Sequence, residues 1–195
     1  MILREKSMQN QPYKVTNLQR FFLHLQHKIK VLKINIRPYQ IEDTQSILDI
    51  VNHTILHSTA LYDYNPRSYE QQKTILTEKI KKNFPILIAE IENKVVGFAF
   101  YSEFRYREAY QYTVEHSIYI EHQNQGKGIG KLLLQKLIES AKEQNLHTMI
   151  GVIDSENKES ILFHEKFGFK TVGIIKESGY KFERWLDSVF MQLIL

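Results

Sequence analysis

The sequence predicts a single-domain α/β fold: a central mixed, mainly antiparallel sheet flanked by helices, preceded by a basic N-terminal segment. Three observations predict it. Stretches of period-two and period-3.6 hydrophobicity follow one another in the order β, α, α, β, β, β, α, β, α, β, β. The chain has 195 residues, 43% of them hydrophobic, which suits one core of ordinary size. From Ile34 onward no repeat, low-complexity segment or linker interrupts the pattern.

The first strand is "LKINIRP", where Ile34 and Ile36 alternate and Pro38 ends the run. A helix is expected from about Glu42, with Ile47, Val51 and Ile55 spaced by four. "NPRS" is a turn, and Ser68 with Gln71 forms an S-x-x-Q capping box for a second helix reaching about Asn83. "PILIAEI" and "KVVGFAFYSEF" read as a hairpin closed at "ENK", and "YTVEHSIYI" is the next strand, leading straight into a glycine cluster. The long helix behind it runs to about Asn145, with Leu132, Leu133, Leu137, Ile138 and Ala141 turned inward. "HTMIGVI" is a strand and "SENKESILFHEKFGF" a helix ending near Gly168; two strands then close the chain at "DSVFMQLIL".

Composition excludes several kinds of chemistry. Without cysteine there is no disulfide, no thiolate metal site and no cysteine nucleophile, and no metal centre is expected. No apolar run reaches the ~18 residues of a membrane span. The opening residues lack the apolar core of a secretory signal, so a soluble, cytoplasmic protein without a membrane partner is expected. The net charge of +4 is unevenly distributed: residues 1–33 hold seven of the 26 basic residues and one of the 22 acids. The body from 34 to 195 is therefore slightly acidic and offers no broad face for nucleic acid. Within the extension, Leu18, Phe21, Phe22, Leu25, Ile29 and Leu32 would share one face of an amphipathic helix, which would dock on the body, a partner or a membrane surface, the body first among these.

"NQGKGIGKLLLQKL" places Gly126, Gly128 and Gly130 at the mouth of the long helix. A strand, a glycine-rich turn and a helix N-terminus together form an anion-binding device, because the N–H groups of the first turn are free and the helix dipole adds positive potential. The Walker pattern has no match, and neither register of the glycines fits the dinucleotide pattern. What remains is Q-x-x-G-x-G, on Gln125, Gly128 and Gly130 or, in a second register, on Gln123, Gly126 and Gly128.

That pattern resembles the pyrophosphate loop of the GCN5-related N-acetyltransferases (GNAT). "PRSYEQQ", "AYQYTVEHSIYI", "LHTMIGVIDSENKES", "FHEKFGF" and "GYKFERWLDSVFMQ" extend the likeness, in order and spacing, to the phosphinothricin or methionine sulfone N-acetyltransferase branch. The likeness covers residues 34–195 and leaves 1–33 without a counterpart. It implies acetyl-CoA as co-substrate. Backbone contacts would come from Ile118, Tyr119 and Ile120, phosphate contacts from Gln125, Gly126, Lys127, Gly128, Ile129, Gly130 and Lys131, and a contact to the pantetheine arm from Asn157. Asn157 also suits a helix cap.

In this reading Glu115 is the general base. Apolar neighbours would raise its carboxyl toward neutrality; on composition alone it would be a solvated acid or a partner of Arg105 or Arg107. His116 falls on the other face of its strand and reads as structural. His164, where many relatives carry a tyrosine, would protonate the leaving thiolate or orient the amine; a polar helix residue without chemistry is the alternative. Arg105, Arg107, Tyr110 and Lys181 would receive the substrate's anionic groups, with Tyr62, Tyr180 and Trp185 as walls. The expected activity is transfer of acetyl to the α-amine of a small amino-acid-like substrate by a homodimer with its interface at "SVFMQLIL" and "GYKFERW". A peptide N-terminal acetyltransferase and a CoA-binding sensor are the alternatives.

Overall fold

The computed structural model describes residues 33–195. The amphipathic segment expected between Leu18 and Leu32 lies outside them. The element order is the predicted one: β1 (Ile34–Pro38), α1 (Thr44–His57), α2 (Tyr69–Lys81), β2 (Ile86–Ile91), β3 (Lys94–Glu103), β4 (Thr113–Ile120), α3 (Ile129–Glu143), β5 (Thr148–Asp154), α4 (Lys158–Glu165), β6 (Lys170–Lys181) and β7 (Arg184–Ile194). Short 3₁₀ turns precede α1 at Ile41–Asp43 and separate β4 from the glycines at His122–Asn124, so the strand does not run directly into the cluster.

Local chemistry accounts for the boundaries. Ser68 and Gln71 form the predicted capping box, the Ser68 hydroxyl accepting from Gln71 N at 3.2 Å and Gln71 Oε1 from Ser68 N at 2.8 Å. The β2–β3 hairpin turns on Glu92 and Asn93, with φ of 51° and 62°, the mirror-image turn that matches strand twist. At the end of β1, Arg37 forks onto the buried Asp43 at 2.6 and 2.8 Å and reaches Glu90 with Nε, tying β1 and β2 to the start of α1.

The seven strands lie in the order β1-β2-β3-β4-β5-β7-β6, antiparallel throughout except for the parallel pair β4–β5. Side-chain alternation sends β4 residues to two cores. Val114 joins Met149, Met191 and the apolar face of α3 (Ile129, Leu133, Leu134, Leu137 and Ala141). Tyr119 joins Phe98, Ile88 and the α1–α2 residues Ile47, Val51, Ile55 and Leu76. Leu134, not Leu132, completes the buried stripe of α3: Leu132 is 38% exposed, because a run of three leucines advances 100° per residue and cannot turn every member inward. The C-terminal strand is an inner strand of the sheet with its two ends exposed at Trp185 and Ile194. β7 pairs with β5 on one side and β6 on the other, and its Val189 and Met191 are in the core.

Candidate active site

The parallel pair is short. β4 and β5 face each other only at Thr113–Thr148, Val114–Met149 and Glu115–Ile150. Beyond this, β4 continues along β3 to Ile120 and β5 along β7 to Asp154, each paired on its outer side. The facing edges, 116–120 and 151–154, diverge and leave main-chain N–H and C=O groups to be satisfied from outside the sheet. A cavity of about 350 Å³ follows the β4 edge, lined by Ile118, Tyr119, Ile120 and Gln125 together with His53 and His57 of α1. Three of the residues assigned to main-chain contact and one from the loop thus stand on a single cavity.

The glycine turn continues that edge. Gly126 and Gly128 have φ of 74° and 81°, a region a side chain rarely enters, and Gly128 is the N-cap of α3. No side chain caps this helix, whose first-turn N–H groups therefore point outward. Gly130 sits where a Cβ would press on Ile120 Cδ1 at 3.3 Å, so its lack of a side chain lets helix and strand approach closely. Ile129 is buried in the core and can offer only its main chain. Lys127 Nζ donates to Asn124 Oδ1 at 2.8 Å, and Lys131 is exposed beside it. The arrangement fits a pyrophosphate on the helix end and an extended arm along the β4 edge.

Glu115 occupies the last paired position of β4, opposite Ser102 of β3. Its side chain takes the face that also holds Tyr119, the side of α1 and α2. Burial pushes its carboxyl above the usual value, and the charges of Arg105 and Lys79 pull it only part of the way back. Arg105 is thus brought into the field of Glu115, while its guanidinium stacks on Phe104 at 4.2 Å and donates to Phe104 O at 2.8 Å. Arg107 stacks on the outward Tyr106, and Tyr110 packs edge-on against Phe104. Lys79 is absent from the sequence reading. Its Nζ lies over Phe100, and burial pulls it down to about 8. Only its register on α2, one side of a helix with few apolar residues, hinted at it.

His116 turns to the opposite face, as strand parity predicts, yet it is not remote from the chemistry. It stacks on His164, with ring centroids 5.1 Å apart, and both rings meet Phe169 edge-on. His164 Nδ1 donates to Ser160 O at 2.6 Å; a carbonyl only accepts, so Nε2 is left as a lone pair. Burial lowers His164, against the raising effect of that hydrogen bond. A neutral imidazole with its proton on Nδ1 offers Nε2 as an acceptor. Glu115 and His164 approach the strand gap from opposite faces of the sheet.

One further assignment changes. Lys181, 3% exposed, donates to Ser58 O at 2.8 Å and to Leu61 O, so its ammonium clamps the α1–α2 loop to the β6–β7 hairpin and does not present itself to a substrate anion. Thr59 Oγ1 donates to Asp154 Oδ2 at 2.6 Å and fastens the same loop to the end of β5. The aromatics gather at the β6–β7 hairpin: Tyr62 lies against Gly179 with its hydroxyl 3.2 Å from Ser188 Oγ, Tyr64 donates to Tyr180 O, and Tyr180 meets Trp185 at 5.0 Å. Asn157 is a helix cap, Oδ1 accepting from Ser160 N at 3.0 Å. Among the described residues no group of side chains is arranged to hold a metal ion, and no helix is long and apolar enough to cross a membrane.

Known proteins share this architecture. The family described as Acetyltransferase (GNAT) domain matches residues 36–190. An L-methionine sulfoximine/L-methionine sulfone acetyltransferase of Pseudomonas paraeruginosa is 38% identical over 165 residues, which are 84% of this chain and 96% of that protein. Among solved structures, a GNAT superfamily phosphinothricin acetyltransferase from Sinorhizobium meliloti in complex with AcCoA is similar at 35% identity and a TM-score of 0.81, over 83% of this chain and 88% of that one. A ribosomal-protein-alanine N-acetyltransferase from Brucella melitensis is similar at 37% identity and a TM-score of 0.82, over 83% and 99%.

Proposed function

The chain belongs to the GNAT acetyltransferases, and from that membership we propose an acetyl-CoA-dependent N-acetyltransferase acting on the α-amine of a small amino-acid-like substrate of the methionine sulfone, methionine sulfoximine or phosphinothricin type. One observation carries the reading: the β4–β5 edges part immediately after a half-buried carboxylate, and the open β4 edge leads into an uncapped, glycine-initiated helix.

Acetyl-CoA supplies an activated acetyl thioester. The main chain of Ile118, Tyr119 and Ile120 pairs with its extended arm, and the turn from Gln125 to Lys131 holds its phosphates. Glu115 takes the proton of the attacking amine, and its raised carboxyl suits that task near neutral pH. Arg105, one of the two cations whose charge acts on Glu115, faces the substrate's carboxylate; Arg107 and Tyr110 border the same approach. A peptide α-amine near 7.7–8.0 is neutral in roughly a tenth of molecules at pH 7 and a lysine amine near 10.4 in only about four per ten thousand; a free amino acid, its α-amine raised by its own carboxylate, falls between. α-Amines are therefore substrates and lysine side chains are not.

The protein acts in the cytoplasm as a homodimer, without nucleic-acid or membrane partners. Exposed Ile174 of β6, Phe182 of the turn after it and Trp185 of β7 support the dimer; light scattering that shows only monomer at micromolar concentration overturns it. A second reading, acetylation of peptide N-termini, is favoured by the likeness to the Brucella enzyme. A panel of free amino acids, sulfone, sulfoximine and phosphinate analogues and short peptides, assayed with acetyl-CoA, decides. Turnover confined to the small α-amines supports the first reading, turnover confined to peptides the second, and acetyl-CoA binding without any turnover a sensor.

A further inference from the structure

His116 is the first residue of β4 beyond its last pair with β5, and Gly151 is the first residue of β5 beyond it. The imidazoles of His116 and His164 converge on Gly151. A Cβ built there would lie 3.2 Å from His116 Nε2 and 3.4 and 3.5 Å from His164 Cδ2 and Nε2, so the missing side chain makes room for both rings at the apex of the strand gap.

The two imidazoles are 7% and 6% exposed, and three of their four nitrogens, both of His116 and Nε2 of His164, have no hydrogen-bond partner among the described residues. Buried polar atoms in folded proteins are nearly always paired, and leaving them unpaired costs stability. Packing does not require it. The neighbours of His116 are the rings of His164 and Phe169, which would receive a phenyl group of similar shape. The polarity of His116 answers to something that enters the gap.

Protonation identifies what it offers. His164 holds its proton on Nδ1 against Ser160 O and brings only a lone pair. Burial, with His164 alongside, pushes His116 down to about 3, so it too is neutral and carries one N–H. That N–H is the uncommitted imidazole donor of the pair.

We propose that His116 is a second imidazole of the reaction centre, its N–H donating to the sulfur of the acyl thioester at the apex of the β4–β5 gap, beside the lone pair of His164. The proposal rests on the acetyltransferase reading. As the amine nitrogen bonds to the acyl carbon, the carbon–sulfur bond breaks and its electron pair stays on sulfur; the amine proton goes to Glu115 on the other face. His116 keeps its proton. Its hydrogen bond strengthens as charge grows on sulfur, and so favours the transition state over the bound substrate.

His116→Phe keeps a stacked ring and removes the unpaired nitrogens. It is expected to melt no lower than the parent, to bind acetyl-CoA with a KM within about threefold of the parent's, and to lose about 10²-fold in kcat. His116→Gln, which restores an N–H, recovers much of that loss. Parental kcat in a folded His116→Phe overturns the proposal and leaves His116 a packing residue. Should His116→Phe fail to fold, Gly151→Ala decides: its Cβ displaces both rings, and lowered kcat with acetyl-CoA binding retained supports the proposal, whereas parental kcat overturns it. If the parent itself neither binds nor turns over acetyl-CoA, the functional reading falls, which is a different outcome from an active parent indifferent to His116.

Discussion

Lys79 Nζ lies 3.9 Å from the centroid of Phe100, on the face of the sheet to which Glu115 points. The cation is held over an aromatic face and half withdrawn from water, and burial brings it down to about 8. Its charge and that of Arg105 restrain the rise of the Glu115 carboxyl. Lys79→Met removes one restraint, so Glu115 gains its proton at a higher pH and the acid limb of kcat/KM moves upward. Above about pH 8, where Lys79 is itself neutral, the parent and variant profiles converge. Profiles that superimpose at every pH would show that Lys79 does not act on the base.

Glu115→Gln should lower kcat by about 10²–10⁴-fold near neutral pH, the usual contribution of one positioned base. The deficit shrinks as pH rises, because the amine then arrives neutral. Acetyl-CoA affinity changes little, since the glutamate lies on the far side of the sheet from His116 and His164. Full activity of the variant at pH 7 assigns the base elsewhere.

Gly128→Val tests the phosphate turn through the backbone. No atom lies within 4 Å of a Cβ at this site, so the substitution clashes with nothing; the strain comes from φ of 81° with a β-branched side chain, about 1–2 kcal/mol. Released from that conformation, the first turn of α3 no longer presents its N–H groups together. The thermal stabilisation given by acetyl-CoA should fall sharply while the unliganded melting temperature drops by only a few degrees. An undiminished acetyl-CoA shift in a folded variant would remove the turn from the binding site.

Acid stability should depend on Asp43. Burial raises its carboxyl, but the hydrogen bonds from Arg37 and Gln40 N outweigh burial and hold it below the ordinary value. A depressed carboxyl stabilises the fold fully above its unfolded value near 3.9, and that contribution disappears as pH falls through the lower folded value. Asp43→Asn should therefore lose about 1–3 kcal/mol at pH 7, and the gap to the parent should narrow below about pH 4. Urea midpoints across pH measure both; a constant gap contradicts the account.

Lys181→Met leaves the carbonyls of Ser58 and Leu61 without their donor. A loss of about 1–3 kcal/mol is expected, read by chemical denaturation. If the clamp is its whole role, substrate KM in the folded variant stays within a few-fold of the parent's; a rise of two orders of magnitude would return Lys181 to substrate binding.

Element order was legible because each element carries its own periodicity, and the caps because Ser68 with Gln71 and Asn157 act within four residues of themselves. The faces were less so. Leu132 and Leu134 are chemically alike, and only the exact phase of α3 against the sheet separates them. Lys181 lost its expected part, and Lys79 gained one that no sequence pattern assigned it, for a similar reason. Which lysine ends beside loop carbonyls and which beside Glu115 depends on contacts between elements more than 30 positions apart. Parity placed His116 correctly across the strand from Glu115. Its stack on His164 depends on how α4 returns to the sheet, which no periodicity records.

The parting of β4 and β5 has a mechanical meaning as well. Within the sheet itself only three residue pairs join the wing β1–β4 to the wing β5–β7–β6; the core under α3, the Lys181 clamp and the Thr59–Asp154 bond join them outside it. So short a seam makes the sheet a two-leaved hinge, with Glu115 at the final stitch and the paired imidazoles in the crease.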